Sequence, residues 1–143
     1  MEYPRFTEGL SSKNFRRIGE MLKESEKPGL WGEIYAARAL RESGYEIYSA
    51  NYRCRFGEID IIAADENYIA FVEVKTRSAG AIASAGESVD SAKQERLVKT
   101  AALYLQNNPV ELQPRFDVVE VYLNGEHKPE RINHIKNAFD SSM

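Results

Sequence analysis

The sequence predicts a mixed α/β fold, in which helices pack against one sheet of four strands. Three strand-like runs follow one another with short links, which favours an antiparallel meander. Residues 68–123 then read as strand, helix and strand, an order typical of a right-handed parallel crossover. The other segments have the apolar spacing of helices, so the predicted order is α, α, β, β, β, α, β, α.

Length and composition limit the class of protein. The chain has 143 residues, 43% hydrophobic and 29% charged, which allows one domain with its own core. A formal net charge of −3 excludes a protein that coats nucleic acid through overall basicity. One cysteine and two histidines exclude an intrachain disulfide and a four-ligand His/Cys zinc site. No apolar run approaches the ~20 residues of a membrane span, so we expect a cytoplasmic protein without a membrane partner.

The chain divides near a breaker, Lys27-Pro28-Gly29. Residues 1–28 are predicted to be an N-terminal extension that contains a short amphipathic helix over residues 11–27. Residues 29–143 are predicted to form the α/β domain. The extension helix either packs on its own domain or contacts a partner.

The domain helices have recognisable ends. A helix over residues 30–43 is expected to stop at Gly44, which suits a left-handed terminator. The next helix starts near Asp90 or Ser91, where a Ser-Ala-Lys-Gln run resembles a capping box, and it stops before Pro109. The last helix is predicted from the helical spacing of three apolar residues, Ile132, Ile135 and Phe139.

Four runs have strand character: residues 45–52, 58–64, 68–76 and 115–123. A polar turn, Asp65-Glu66-Asn67, joins the second run to the third. Small residues fill the segment 78–91, which reads equally well as a substrate lid or as a plain mobile connection. His127 and His134 lie in polar surroundings and are expected at the surface.

Acidic residues occupy unusual positions on the two middle strands. Alternation puts Glu73 and Lys75 on one face of their strand, beside Ile69 and Phe71. A two-residue or a four-residue hairpin loop places Asp60 of the preceding strand directly opposite Glu73, whereas a three-residue loop does not. Carboxylates opposed at ~5 Å repel by roughly 3 kcal/mol at an effective dielectric constant of about 20.

Such a carboxylate pair requires a cation, a shared proton or a basic partner. Two readings are open: a metal site for a hard cation such as Mg²⁺, or a salt-bridge cluster of Asp60, Glu73 and Lys75. Glu33 is a second unusual acid, because its neighbours one turn along the helix are apolar. It serves either the helix dipole or a buried site.

These residues resemble a known family. Trp31-Gly32-Glu33, the run from Asn51 to Ala63, and Phe71-Val72-Glu73-Val74-Lys75-Thr76-Arg77 are similar to the bacterial YraN-like family. That family is assigned to the PD-(D/E)xK nuclease superfamily, close to archaeal Holliday-junction resolvases. The resemblance covers residue 29 to the C-terminus and implies a restriction-endonuclease-like fold, with a mixed four-stranded sheet flanked by helices.

The resemblance also implies roles for individual residues. Asp60 and Glu73 match the metal-binding acids, and Lys75 matches the lysine of the ExK element. Glu33 matches the acid of the first core helix, so the implied catalytic set is Glu33, Asp60, Glu73 and Lys75. The implied metal is Mg²⁺ or Mn²⁺, held by Asp60, Glu73 and Glu33. The superfamily motif usually has proline before its first acid, where this chain has Ile59.

The resemblance implies a metal-dependent endonuclease that hydrolyses phosphodiesters, with branched or structured DNA as substrate. A resolvase-like activity predicts a homodimer, because a four-way junction needs two paired cuts. The alternative is a catalytically weak nucleic-acid-binding or adaptor module on the same fold. Residues expected to contact nucleic acid are the basic side chains near the site: Arg53, Arg55, Arg77, Lys93, Arg96 and Lys99.

Overall fold

The computed structural model describes residues 28–81 and 89–140. Within them it contains two helices and five strands. In chain order these are α1 (Pro28–Glu42), β1 (Glu46–Cys54), β2 (Gly57–Ala64), β3 (Tyr68–Ser78), α2 (Ser91–Asn107), β4 (Gln113–Leu123) and β5 (Pro129–Phe139). The predicted helix over residues 11–27 and residues 82–88 of the segment 78–91 lie outside the described residues.

The strands form one sheet in the order β1-β2-β3-β4-β5. The predicted antiparallel meander of β1, β2 and β3 is confirmed, as is the parallel pairing of β3 with β4 across α2. The sheet is therefore mixed, and α1 and α2 are the two helices of the described residues. The prediction of four strands is wrong, because β5 adds a fifth strand antiparallel to β4.

The error arose in the last segment, which was predicted as a helix. Its register with β4 is irregular: Phe116 pairs with Phe139, but Val118 pairs with Ile135. Extra residues of β5 are accommodated there, and Asn137 has a left-handed φ of 53°. Only the four-residue step from Ile135 to Phe139 spans this irregularity. Ile132 and Ile135 pair in regular register with Val121 and Val118, so their three-residue spacing puts them on opposite faces of β5.

The sheet is covered on its two faces by different helices. On one face α1 packs over a buried cluster that includes Leu40, Ile61, Val72 and Val119. On the other face α2 contributes Leu97, Ala101 and Tyr104 to a cluster with residues of β2, β3 and β4: Ile59, Ile62, Ile69, Phe71, Phe116 and Val118. Ala102, one residue beyond Ala101 along α2, is exposed.

Hydrogen-bonded caps close the C-terminus of α1 and the N-terminus of α2. Gly44 follows α1 with a φ of 98°, and its N–H donates to the Arg41 carbonyl at 3.0 Å. The Tyr45 N–H donates to the Leu40 carbonyl at 3.0 Å, which completes a Schellman motif and confirms the predicted terminator. At the start of α2 the Asp90 carboxylate accepts from the Lys93 N–H at 2.9 Å, so Asp90 is the N-cap.

A close approach fixes α1 against β3. Gly32 is buried, and a Cβ at this position would lie 1.9 Å from the Thr76 Oγ1 and 3.1 Å from the Thr76 Cβ. Only a residue without a side chain allows the helix to reach this distance. The contact sets the position of the next residue, Glu33, over the carboxyl end of β3.

A buried polar network ties β5 to the sheet. Asp117 is 0% exposed, and its carboxylate accepts from Arg115 through both oxygens at 2.8 Å. It also accepts from the Asn137 N–H at 3.0 Å and contacts the His134 Nε2 at 2.8 Å. Tyr45 accepts a further hydrogen bond from Arg115 at 2.6 Å. The expectation that His134 is a surface residue is therefore wrong, since β5 turns its ring inward.

His127 also differs from a simple surface residue. It has a left-handed φ of 60°, and its ring stacks on Trp31 with centroids 6.2 Å apart. The contact joins the β4–β5 turn to the first turns of α1.

In the described part of the chain, no helix is both long enough and apolar enough to cross a membrane.

Replacing Gly32 with alanine should destabilise the protein by about 1–3 kcal/mol, because the new methyl group overlaps Thr76. Gly29 lies in the same helix with nothing within 4 Å of its Cβ position, so Gly29→Ala is the matched control. The control should change stability by less than about 1 kcal/mol. Urea unfolding of both variants measures the difference, and equal stabilities would contradict the proposed close approach.

Asp117→Asn should lower the free energy of unfolding at neutral pH by about 3–5 kcal/mol, since Arg115 loses its buried partner. Burial alone would raise the pKa of Asp117, but hydrogen bonds from His134 and Arg115 hold that pKa below its usual range. A depressed folded-state pKa stabilises the protein above the unfolded value, about 4, and this contribution is lost as the pH falls.

The stability difference between wild type and Asp117→Asn should therefore narrow as the pH falls below about 4. Urea unfolding over a pH series measures it. Glu130→Gln, which alters an exposed acid of β5, should show no comparable loss at neutral pH. If the free energies of unfolding of wild type and Asp117→Asn differ by the same amount at every pH, stability does not depend on the ionisation of Asp117.

Candidate functional site

The hairpin between β2 and β3 has the register that brings the candidate acids together. The Asp65 N–H donates to the Tyr68 carbonyl at 3.0 Å, and Ala64 pairs with Ile69. The pairing of Ala64 with Ile69 is common to the predicted two-residue and four-residue loops. The predicted register is therefore confirmed, and a three-residue loop is excluded. The strand pairing runs to Ile61 and Val72 and ends there.

Beyond that point a side chain replaces the backbone ladder. The Asp60 Oδ2 accepts a hydrogen bond from the Val74 N–H at 2.8 Å. The carboxylate thus takes the place of a backbone carbonyl of β2 and holds the adjoining part of β3, where Glu73 and Lys75 flank Val74. This contact fixes Asp60 relative to the ExK element.

Asp60 lies between the two faces of the sheet. Ile59 packs in the cluster under α2, whereas Ile61 packs under α1, although strict alternation would put them on one side. Asn51, in the adjacent strand β1, has a left-handed φ of 57° at this level. Asp60 is expected opposite Glu73, and in the structure it also lines a cleft under α1.

That cleft brings Glu33 to the site. Glu33 and apolar residues of α1 form one wall, and Asn51, Asp60 and residues beside them form the other. Glu33 makes a side-chain hydrogen bond with Asn51. Its placement thus favours the interpretation of an acid directed toward a site over that of a dipole residue facing solvent.

Glu73 is buried, with 7% of its surface exposed. Its carboxylate forms an ion pair and a hydrogen bond with the Lys93 ammonium group of α2. Lys75 lies two residues further along β3 and is half-buried. The acid pair predicted from the sequence therefore has a basic partner, but that partner is Lys93 rather than Lys75.

The three acids influence one another electrostatically. Burial and the nearby Glu73 carboxylate raise the pKa of Asp60 to about 7, with smaller contributions from Glu33 and from a side-chain hydrogen bond with Glu73. Burial also raises the pKa of Glu33, as do Glu58 and Glu73, against the hydrogen bond from Asn51. The fold thus concentrates negative charge where solvent is scarce, as functional sites often do.

The donor set suits a hard cation in part. Carboxylate oxygens are the ligands that Mg²⁺ and Mn²⁺ prefer, and Mg²⁺ commonly takes one or two of them with several waters. Across residues 28–81 and 89–140, no three His, Cys, Asp or Glu side chains form a group that could hold one ion. Among these residues the predicted ligand set of Glu33, Asp60 and Glu73 is therefore not brought together as one three-acid group.

The basic residues expected to contact nucleic acid are mostly engaged in ion pairs. Arg53 pairs with the exposed Glu58 at 3.1 Å. Arg77 pairs with Glu120 at 3.1 Å, and its side chain is largely buried, so it lies in the sheet rather than on a rim. Besides Lys93, a further α2 lysine is paired, since Lys99 contacts Glu95 at 3.2 Å.

The remaining two predicted contact residues lie at the surface. Arg55 and Arg96 are exposed. The Arg55 guanidinium lies 4.6 Å from the centre of the neighbouring Phe56 ring, and Arg96 packs its Cβ near Gly57. Arg96 lies on α2 and Arg55 lies in the turn between β1 and β2.

Two features of the site were missed by sequence reasoning. The contact between Lys93 and Glu73 joins residues of different elements, and no local pattern encodes it. Asn51 could have been found, because asparagine disfavours strands yet tolerates the left-handed region. An asparagine inside a tyrosine-rich strand therefore indicates a special backbone conformation.

Comparison with known proteins gives the family. The model of the uncharacterised protein family UPF0102 matches residues 32–121, which include Glu33, Asp60, Glu73 and Lys75. A UPF0102 protein of Caldanaerobacter subterraneus subsp. tengcongensis is 48% identical over 113 residues, 78% of this chain and 93% of that protein. UPF0102 proteins of Clostridium botulinum strains 657 and Loch Maree are 45% and 44% identical, covering 78% of this chain and 92% of each relative. The chain therefore belongs to the uncharacterised protein family UPF0102, the YraN-like family.

Proposed function

We propose that this protein is a metal-dependent phosphodiesterase of the PD-(D/E)xK nuclease type, acting on branched or structured DNA. The observation that carries the proposal is the convergence of three partly or fully buried acids, Glu33, Asp60 and Glu73, beside Lys75. Desolvation and mutual repulsion of the acids both oppose such an arrangement, and Lys93 on Glu73 and the Val74 N–H on Asp60 offset them in part. A ligand that carries positive charge would compensate for both.

The fold proposed for this activity is restriction-endonuclease-like. A meander, a parallel β3–α2–β4 crossover and helices on both faces support it. In this proposal β5 is an addition to the four-stranded core.

Each residue of the site has a distinct task. Asp60 and Glu73 would hold Mg²⁺ or Mn²⁺, and Glu33 would hydrogen-bond a water on that ion. When bound, the metal supplies a water of lowered pKa and offsets negative charge on the phosphate. The Lys75 ammonium group orients the attacking water and donates to a phosphate oxygen, which stabilises charge that develops in the transition state.

The substrate class follows from the charge distribution. A net charge of −3, and the pairing of Arg53, Arg77, Lys93 and Lys99 with acids, leave little positive charge for non-specific binding. Recognition of substrate shape must then supply affinity, which favours a structured target over plain duplex. Exposed Arg55 and Arg96 are the residues best placed to contact its backbone.

Purified wild type should cleave flapped or four-way-junction DNA in Mg²⁺ or Mn²⁺ and lose that activity in EDTA. Asp60→Asn and Lys75→Met should each reduce the rate at least about 100-fold, because one removes a metal ligand and the other a charge-stabilising donor. Single-turnover cleavage of labelled linear, flapped and four-way DNA measures these rates.

Glu66→Gln is the control for these variants, since Glu66 is an exposed acid at the opposite end of β2 and β3. It should cleave like wild type. Cleavage that survives unchanged in Asp60→Asn would indicate a contaminating nuclease. Junction binding without cleavage in any metal would favour the alternative, a nucleic-acid-binding or adaptor module.

Wild type should also bind Mn²⁺ in the absence of DNA, and Glu73→Gln should weaken that binding at least about tenfold, the effect of losing ~1.4 kcal/mol. Isothermal titration calorimetry measures the affinity, with Glu66→Gln again as control. An affinity for Mn²⁺ that Glu73→Gln leaves unchanged would rule out Glu73 as a ligand.

A further inference from the structure

We infer that Lys93 is an internal competitor of the metal ion: its ammonium group neutralises Glu73 in the metal-free protein, and a divalent cation must displace it. The inference rests on the proposed metal site and describes its regulation. Neither the family comparison nor the proposed chemistry assigns this role to Lys93.

The first support is the contact itself. The Lys93 ammonium group lies on the Glu73 carboxylate, the acid of the ExK element. A carboxylate that is 9% exposed in its side chain must be compensated when no metal is present, and the ammonium supplies one positive charge. Among the described residues, Lys93 is the basic partner that salt-bridge geometry assigns to Glu73.

The second support is the way Lys93 is attached. Its backbone is fixed, because the Lys93 N–H donates to the Asp90 carboxylate in the N-cap of α2. Its side chain is 37% exposed, far more than that of Glu73. A long flexible side chain on a fixed backbone can leave Glu73 by rotamer changes alone, without unfolding the helix.

The third support is chemical. A cation on both Asp60 and Glu73 would share the Glu73 carboxylate with the Lys93 ammonium group, which contacts Oε2, and an ammonium group beside a divalent ion is repelled by it. Metal binding therefore expels Lys93 from Glu73. The released ammonium remains at the first turn of α2, beside the site, where a phosphate group would attract it. Metal binding and the exposure of a substrate-binding cation are thereby linked.

Calorimetric titration with Mn²⁺ tests the competition. Lys93→Met should bind Mn²⁺ about tenfold more tightly than wild type, as expected when ~1.4 kcal/mol of competing interaction is removed. Lys99→Met removes the same charge from the same helix, where Lys99 pairs with the exposed Glu95, and should change the affinity less than twofold. Lys93→Arg retains a competing cation and should not tighten binding.

A second measurement follows Lys93 directly in the intact protein. With ¹⁵N-labelled lysine, the Lys93 ammonium resonance, identified by its absence in Lys93→Met, should leave its ion-paired position when Mg²⁺ is added. The Lys99 resonance should not move. The inference is supported if Lys93→Met binds Mn²⁺ more tightly than wild type and the Lys93 resonance shifts. It is also supported if Lys93→Met binds Mn²⁺ and wild type does not.

Two results would overturn it in different ways. If wild type binds Mn²⁺ through Glu73 but Lys93→Met binds no more tightly, or the Lys93 resonance stays ion-paired at saturating Mg²⁺, the competition is refuted and the metal site stands. If neither wild type nor Lys93→Met binds Mn²⁺, the metal site and the competition are both refuted.

Discussion

The hydrogen bond from the Val74 N–H to the Asp60 carboxylate is the contact on which the site depends. Backbone pairing of β2 and β3 stops at Ile61 and Val72, and strands that separate leave donors that must find other acceptors. Here the acceptor is the Asp60 carboxylate. The side chain that satisfies the Val74 N–H therefore also introduces negative charge into the sheet. Burying the Asp60 carboxylate costs free energy of desolvation. Removing it would leave the Val74 N–H without its acceptor.

The surroundings of Asp60 add to this constraint. Gly32 allows α1 to approach Thr76 closely, which carries Glu33 into the cleft, and the left-handed Asn51 supplies the hydrogen bond that holds Glu33 there. On the other side of the sheet α2 brings Lys93 to Glu73. Two helices on opposite faces therefore converge on one end of β3, and neither helix could be repositioned without altering the charge balance of the acids.

Most of the fold was predictable because its signals are local. Alternation in β3, the glycine after α1 and the short polar hairpin each specify structure within a few residues, and the hairpin register predicts from the sequence alone that Asp60 lies opposite Glu73. The last strand was not predictable, since its register is irregular near Asn137 and the side chain that holds it, Asp117, lies in β4. The partner of Glu73 was missed for the same reason, because pairing across 20 residues depends on tertiary packing.

The irregular β5 also affects how two copies of this chain could meet. An outer strand with free backbone groups would normally invite a second sheet to extend it. In β5 the left-handed Asn137, the shifted register and Pro129 at its start interrupt the row of donors and acceptors that such an extension requires. The β5 edge of the sheet is thereby shielded against continuous sheet formation.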